Sequence, residues 1–187
     1  MGDRFCEPIF RFLRMHRIKP FIDERFDVLD VGCGEKGLVV KTLSPHVKTI
    51  TGIDIRSTPY EVGNAKIISG SFDGVPLPFK DKSFDCVLLL AVLEHIHHRE
   101  ELMREIYRIL RPNGKLVLTV PTWAAKPILE FLAFRLHIVS EIGVREHKIY
   151  FWKDQLRNLL EKAEFDASHI TINYFEFGVN LSAVVRK

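Results

Sequence analysis

Short apolar runs alternate with amphipathic helical patterns along this chain of 187 residues. Strand-like runs separated by helix-like segments are typical of βαβ units, in which helices carry the chain between parallel strands. The predicted strands are Phe26–Gly32, Val47–Ile55, Lys66–Ser71, Phe84–Val92 and Lys115–Pro121. The predicted helices are Gly37–Leu43, Arg99–Leu110 and Asp154–Ala163. The sequence therefore predicts an α/β fold.

The last part of the chain predicts two further strands, Ser168–Phe177 and Asn180–Arg186, joined at Phe177-Gly178. A parallel crossover needs about a dozen residues or more, so this short connection forces an antiparallel pair. The expected fold is a doubly wound, mostly parallel seven-stranded sheet with an antiparallel final strand. Between the second and third strands, Arg56–Lys66 has room for at most one or two helical turns.

Composition indicates an ordinary globular domain, with 47% apolar and 27% charged residues. One domain spanning residues 1–187 is expected. The net charge of +3 is too small to argue for a nucleic-acid partner. Cys6, Cys33 and Cys86 have no metal-type spacing and read as free thiols, and no apolar run reaches the roughly 18 residues of a membrane span. A cytoplasmic protein is expected.

A glycine-rich turn follows the first predicted strand and opens the first helix. Gly32-Cys33-Gly34-Glu35-Lys36-Gly37 matches G-x-G-x-x-G in the strand–turn–helix context that gives this pattern its meaning. Asp54 follows Gly37 by 17 positions, at the end of the second strand, where a carboxylate can bind both hydroxyls of a ribose. The pattern leaves two cofactors open, a dinucleotide and S-adenosylmethionine.

Asp30 helps to separate these two cofactors. A carboxylate two residues before Gly32 would repel a pyrophosphate and would suit the ammonium and sulfonium of S-adenosylmethionine. A site that binds the 2′-phosphate of a dinucleotide would need a basic residue after Asp54, and Arg56 is the one basic residue in that place. The residues therefore favour S-adenosylmethionine over a dinucleotide.

Several ordered motifs extend this interpretation. Val28–Gly37 (VLDVGCGEKG) and Gly52–Ile55 (GIDI) resemble the signature loop and second strand end of class I S-adenosylmethionine-dependent methyltransferases. Pro76–Ile96, with its LPF…SFD…LEH pattern, and Leu102–Pro121 resemble the small-molecule branch of that family, and residues 147–165 are similar to its later helix. The resemblance implies a Rossmann-like fold and S-adenosyl-L-methionine as cofactor.

The resemblance also implies a role for individual residues. Asp54 would hold the ribose with Ile55 against the adenine, Ser71 and Phe72 would flank the adenine, and Leu90 would offer its carbonyl to the methionine ammonium. The residues expected around the methionine part are Asp30, Gly32, Cys33, Gly34 and Gly37. Where the family has an aspartate this chain has Ser71, with Asp73 two residues on.

Methyl transfer to an oxygen or nitrogen of a small molecule is the expected reaction. His95 and His147 are the candidate general bases, and neither metal nor covalent nucleophile is required. The group Glu94, His95, His97 and His98 has loop-like spacing and predicts no metal site. The fourth strand ends without the Asn/Asp-Pro-Pro-aromatic signature of enzymes that act on base amines, so a nucleic-acid acceptor is not expected. A non-catalytic S-adenosylmethionine-binding module and an NAD(P)-dependent oxidoreductase stay open as alternatives.

Two segments lie outside the shared core. Residues 1–24 predict an N-terminal helix with a basic face, and residues 122–146 predict a variable, lid-like insert. Within the insert, Pro127–Val139 is apolar nearly all round as a helix and is expected to be buried on most sides. Packing on the sheet, a lid, a homodimer contact through residues 123–141 and a surface for a lipid-linked or sugar acceptor stay open. Trp123, Phe151 and Trp152 could line an apolar pocket beside it.

Overall fold

The structure is a computed structural model and describes residues 15–135 and 148–187. Eight strands form one sheet in the order β3-β4-β2-β1-β5-β6-β8-β7. The strands are β1 (Asp27–Val31), β2 (Thr49–Asp54), β3 (Tyr60–Val62), β4 (Ala65–Ser69), β5 (Phe84–Leu90), β6 (Leu110–Pro121), β7 (Ile170–Phe175) and β8 (Asn180–Arg186). The helices are α1 (Leu38–Leu43), α2 (Arg99–Ile109), α3 (Ala125–Phe134) and α4 (Lys153–Lys162). Short 3-10 turns are Lys19–Phe21, Ser44–His46, Leu93–His95, Ala167–His169 and Glu176–Gly178.

The centre of the sheet is parallel, and its register sets where the strand ends meet. β1 lies between β2 and β5, with Asp30 opposite Gly52 on one side and Leu88 on the other. β8 runs antiparallel to both β6 and β7, and the pairing with β7 is the one that the short connection predicted. The expected doubly wound α/β fold is confirmed.

Alternate residues of each central strand point into two apolar layers. One layer packs Leu29, Val87 and Leu118 under α2 and α4. The other packs Val28, Ile50 and Leu88 under α1, together with Ile18 from the N-terminal side. Both faces of the parallel strands are therefore covered, which explains why β5 reads as an almost continuous apolar run.

The sheet has eight strands where the sequence predicted seven. The extra strand, β3, pairs antiparallel with β4 in the crossover that was expected to hold a helical turn. Pro59 lacks an N–H for a helix, and Gly63 has a φ of +60°, so the chain reverses at Gly63-Asn64 and forms a hairpin instead. Three residues are too few to show a strand period in the sequence.

Helix α3 corrects the prediction that Pro127–Val139 is buried on most sides. Ala125 and Ala133 face the core, whereas Ile128 and Phe131 are 47% and 55% exposed. Small alanines let the helix lie close to its neighbours and leave the larger side chains outside. The part of the predicted helix from residue 136 onward lies outside the described residues, as does the basic face predicted before Met15.

None of the helices in the described ranges combines the length and apolar character needed to cross a bilayer.

Candidate functional site

The carboxyl ends of β1, β2 and β5 meet at one edge of the sheet. β1 is paired with β2 on one side and with β5 on the other, and the chain order reverses between these neighbours. Such a reversal opens a crevice at the carboxyl edge, where ligands bind in doubly wound sheets. The strand ends carry Asp30, Asp54 and Leu90 to this edge.

The Gly32–Gly37 turn needs glycine for two different reasons. Gly32 and Gly37 have φ values of +78° and +53°, and a Cβ would come within 2.4 Å of Val92 Cγ2 at Gly32 and 1.9 Å of Ile67 Cδ1 at Gly37. Packing therefore requires glycine at both of these positions. Gly34 has a φ of +71°, but its Cβ would meet no described atom within 4 Å. The turn is therefore open above Gly34.

Asp54 lies directly beside this turn. Its Oδ2 accepts a hydrogen bond from the Gly34 N–H at 3.0 Å, and its Oδ1 accepts one from the Arg56 N–H at 2.8 Å. Each carboxylate oxygen has two acceptor sites, so each keeps one for a further donor. These two hydrogen bonds fix the orientation of the Asp54 carboxylate, which can still accept hydrogen bonds from two neighbouring hydroxyls.

Asp30 is a buried carboxyl group at the same edge, with 2% of its surface exposed. Its Oδ2 has no hydrogen-bond partner among the described residues. Burial raises the pKa of Asp30 to about 7, and the charge of Asp54 adds to this shift. An orphaned buried oxygen is unfavourable unless a ligand completes it, and a cation is the ligand that a carboxylate favours.

Cys33 contributes packing to the turn and no reactive thiolate. Its Sγ would lie 2.8 Å from a Cβ at Gly52, so the glycine of β2 makes room for it. Burial raises the pKa of the Cys33 thiol to about 12, with the charges of Asp30 and Asp54 acting in the same direction. The thiol stays protonated at neutral pH and is a weak nucleophile.

The residues predicted around the adenine differ in how exposed their side chains are. Ile55 follows Asp54 and is 68% exposed, so its side chain offers an open apolar surface beside the carboxylate. Ser71 is exposed, but the Phe72 ring is buried in the core layer of α2 and α4. Asp73 accepts hydrogen bonds from the backbone N–H groups of His97 and His98. Asp73 therefore joins two loops of the carboxyl edge.

The end of β5 holds a feature that the sequence did not reveal. Ala91, directly after Leu90, has a φ of +55°, and its N–H is shared by the carbonyl and the hydroxyl of Thr119 at 3.0 and 3.1 Å. No residue pattern predicts a left-handed alanine. Its partner on β6 follows only from the register between the two strands.

Of the two candidate bases, His95 lies among the described residues. His95 is half-buried in the 3-10 turn after β5, at the carboxyl edge. His147 lies outside the described residues. Glu94 is buried, and its carbonyl accepts from the Lys148 N–H at 2.9 Å. Among the described residues, no three His, Cys, Asp or Glu side chains are grouped as metal ligands would be.

These surroundings fit the adenosyl and methionine parts of S-adenosylmethionine. Asp54 can accept from the ribose, the space above Gly34 admits a ligand close to the backbone, and the orphaned Asp30 oxygen suits a cationic group. A pyrophosphate would instead face two buried carboxylates.

Comparisons with known proteins agree with this geometry. Residues 29–118 match the family model described as a methyltransferase domain. The chain is 30% identical over 102 residues to the ubiquinone/menaquinone biosynthesis C-methyltransferase UbiE of Geotalea daltonii, an alignment that covers 49% of this chain and 43% of that protein. It is 34% identical over 127 residues to the tRNA U34 carboxymethyltransferase of Nautilia profundicola, covering 63% of this chain and 42% of that protein. The chain thus spans less than half the length of these two curated relatives.

A solved structure shows the same fold at lower identity. A SAM-dependent methyltransferase from Methanosarcina mazei superposes with a TM-score of 0.65 and 21% identity, over 91% of this chain and 96% of that one. The segment that matches the family model, residues 29–118, begins in β1 and ends in β6. It therefore contains the glycine turn, Asp54 and the end of β5. Residues 29–118 thus match a methyltransferase domain, and the fold of the chain is that of a solved SAM-dependent methyltransferase.

Proposed function

We propose that this protein transfers the methyl group of S-adenosylmethionine to a small apolar acceptor. The observation that carries the proposal is the hydrogen bond from Gly34 to Asp54, beside open space above Gly34 and the orphaned oxygen of Asp30. These three features provide a ribose acceptor, an entry for the ligand and a partner for a cation within one edge of the sheet.

The cofactor supplies a methyl group already activated on a sulfonium, so the chain's task is chiefly to orient and enclose. Asp54 and the Gly32–Gly37 turn hold the adenosyl part, with Ile55 against the base. Asp30 and the Leu90 carbonyl bind the amino-acid part. Positioning of the acceptor can then contribute several kcal/mol, up to about 7–11 for well-oriented reactants. His95 is the proposed base for an acceptor that must lose a proton, and His147 is the second candidate.

An apolar acceptor is proposed because of the surface that follows β6. Thr122 forms a parallel bridge with Phe151, and their buried side chains leave the next residues, Trp123 and Trp152, exposed. The Trp123 ring lies 5.8 Å from the Tyr150 ring. Ile128 and Phe131 of α3 are exposed as well, and we call these four exposed apolar side chains the α3 apolar surface. We propose residues 122–146 as the acceptor-side insert of a single domain.

The relatives support an acceptor of this kind without fixing it. The Geotalea protein is named for ubiquinone and menaquinone biosynthesis and for C-methylation, so carbon acceptors belong in the search beside the expected oxygen and nitrogen ones. The Nautilia protein is named for a tRNA nucleoside, which keeps RNA as the competing acceptor class. We further propose a reducing, cytoplasmic setting, because Cys33 and Cys86 are free thiols.

Two experiments test the proposal. Calorimetry should detect binding of S-adenosylmethionine and S-adenosylhomocysteine and much weaker binding of NAD. A screen with methyl-labelled cofactor against phenols, quinols, amines and a tRNA fraction should label an apolar small molecule.

The possible results separate the alternatives. Binding without transfer to any acceptor would indicate a non-catalytic S-adenosylmethionine-binding module. Preference for NAD would indicate an oxidoreductase, and labelled tRNA would contradict the small-molecule acceptor.

A further inference from the structure

The chain turns sharply where β5 ends, at the floor of the proposed cofactor site. Leu90 is the last strand residue, and Ala91 takes up the left-handed conformation with a φ of +55°. This conformation is unfavourable for a residue with a Cβ, because the Cβ crowds the following carbonyl oxygen. Strained residues of this kind persist where the surroundings hold them, and they cluster at ligand sites.

The group that holds Ala91 is Thr119 of β6. The Ala91 N–H donates to the Thr119 carbonyl oxygen at 3.0 Å and to Thr119 Oγ1 at 3.1 Å. Thr119 lies opposite Leu90 in the register of the two strands and is 2% exposed. The threonine thus offers the same N–H two acceptors, one from its backbone and one from its side chain.

Holding this N–H also fixes the direction of the Leu90 carbonyl. The Leu90 C=O and the Ala91 N–H belong to one planar trans peptide unit, in which they point in opposite directions. β5 lies between β6 and β1, so an N–H that points to β6 turns the carbonyl toward β1. The carboxyl end of β1 leads into Gly32 and its turn.

We infer that Thr119 is a positioning residue for cofactor binding. Its hydroxyl keeps Ala91 in the left-handed turn and thereby aims the Leu90 carbonyl at the ammonium of the methionine part. The inference rests on the proposed function, because the ammonium is that of S-adenosylmethionine. It assigns a role to a buried residue that is not among the proposed cofactor contacts.

The test compares two ligands that differ in the group concerned. S-adenosylhomocysteine carries the ammonium, whereas 5′-methylthioadenosine keeps the adenosyl part and lacks the amino acid. In Thr119→Val the Kd of S-adenosylhomocysteine should rise about three- to tenfold, the range expected for one net hydrogen bond. The Kd of methylthioadenosine should stay unchanged, and Thr119→Ser should restore the wild-type affinity for both ligands.

A matched control is Ser182→Ala, which removes a buried hydroxyl at the position paired with Thr119 on β8. Both affinities should be unchanged in this variant. Thr119→Ala serves as a second variant if valine disturbs folding, and it should give the same selective loss.

Equal losses for the two ligands, or no loss for S-adenosylhomocysteine, would overturn the inference alone. A wild-type protein that binds neither ligand would overturn the proposed function, and the inference with it.

Discussion

Asp30 gives the site a property that depends on pH. With a pKa of about 7, the buried carboxyl group is protonated in mildly acidic solution and charged in mildly basic solution. The described ionisable group that acts on it is Asp54, whose charge adds to the effect of burial. In the proposed site a bound ammonium would favour the charged form of Asp30, so cofactor binding would be linked to loss of the Asp30 proton.

We therefore predict that affinity for S-adenosylhomocysteine increases as the pH rises from about 5.5 to about 7.5. The Kd should change by up to about tenfold per pH unit below the pKa of the free protein. Calorimetry in buffers of different ionisation enthalpy should detect the released proton. Asp30→Asn should bind more weakly and show a flat profile over this range. A wild-type profile as flat as that of the variant would contradict the prediction.

The same residue should destabilise the protein without its cofactor. Its pKa is raised from 3.8 to about 7, so the folded state holds the proton more tightly than the unfolded chain. The free energy of unfolding should then fall as the pH rises between these values, because the contribution of Asp30 is present below 3.8 and lost through the folded pKa. At pH 8, Asp30→Asn should be more stable by on the order of 2–4 kcal/mol, as measured by urea unfolding. The unfolding free energy of Asp30→Asn minus that of the wild type should be larger at pH 8 than at pH 5. A smaller difference at pH 8 would contradict this account.

The Asp54 carboxylate should contribute to affinity through the ribose. Asp54→Asn replaces one acceptor oxygen with a donor and removes the charge, at a cost of about 1.5–3 kcal/mol or roughly 10–100-fold in Kd for S-adenosylhomocysteine. Asp81→Asn is a suitable control, because Asp81 is exposed and pairs with Arg108 before β5 begins. Unchanged affinity in Asp54→Asn would refute the ribose assignment.

At the scale of the structural elements, two glycines of the turn have different surroundings, one packed and one open. Gly32 is enclosed by Val92, whereas the side of Gly34 that would carry a Cβ is open among the described residues. Both glycines have a positive φ, so alanine is strained at either position. The two substitutions therefore differ mainly in what the added methyl group meets.

We predict that Gly34→Ala mainly weakens ligand binding and that Gly32→Ala mainly destabilises the fold. Gly34→Ala should lower the free energy of unfolding by only about 1–2 kcal/mol, from backbone strain, and should weaken S-adenosylhomocysteine binding by more than tenfold. Gly32→Ala should destabilise the fold by more than this, because the strain is joined by a clash with Val92. Urea unfolding and calorimetry on both variants measure the two effects. Gly34→Ala with wild-type affinity would show that no ligand passes there.

The elements also show how far the sequence determines the outcome. β1, β2 and β5 were predicted within about two residues of their observed ends, because buried parallel strands are rich in apolar residues. β3 was missed, since three residues show no period. The approach of Asp54 to the glycine turn followed from the topology. In contrast, the sign of φ at Ala91 and the bond to Thr119 depend on cross-strand register, which the sequence does not display.

At the scale of the whole molecule, the fold leaves the α3 apolar surface beside the carboxyl edge of the sheet, where the cofactor is proposed to bind. β6 ends at Pro121, and the Thr122 hydroxyl donates to the Gly178 carbonyl of the β7–β8 connection at 2.9 Å. The surface is therefore anchored to the sheet directly beside the site. An acceptor that contacts it would lie at the carboxyl edge.

We predict that Phe131→Glu lowers methyl transfer to the best acceptor of the screen by about tenfold, because an apolar contact is lost, and leaves the Kd of S-adenosylhomocysteine unchanged. The matched control is Val62→Glu, an exposed valine of the edge strand β3. Sedimentation should give a monomer for all three proteins. A wild-type dimer that Phe131→Glu dissociates would instead assign residues 123–141 to contact between copies of the chain.

The most direct test of cofactor binding at this edge is a crystal structure of the protein with S-adenosylhomocysteine. The ligand should bind at the carboxyl ends of β1, β2 and β5, with its ribose hydroxyls on the Asp54 carboxylate and its ammonium on the side of Asp30 and the Leu90 carbonyl. A ligand bound at another edge of the sheet, or contacts to Asp54 replaced by solvent, would contradict the assignment of this site.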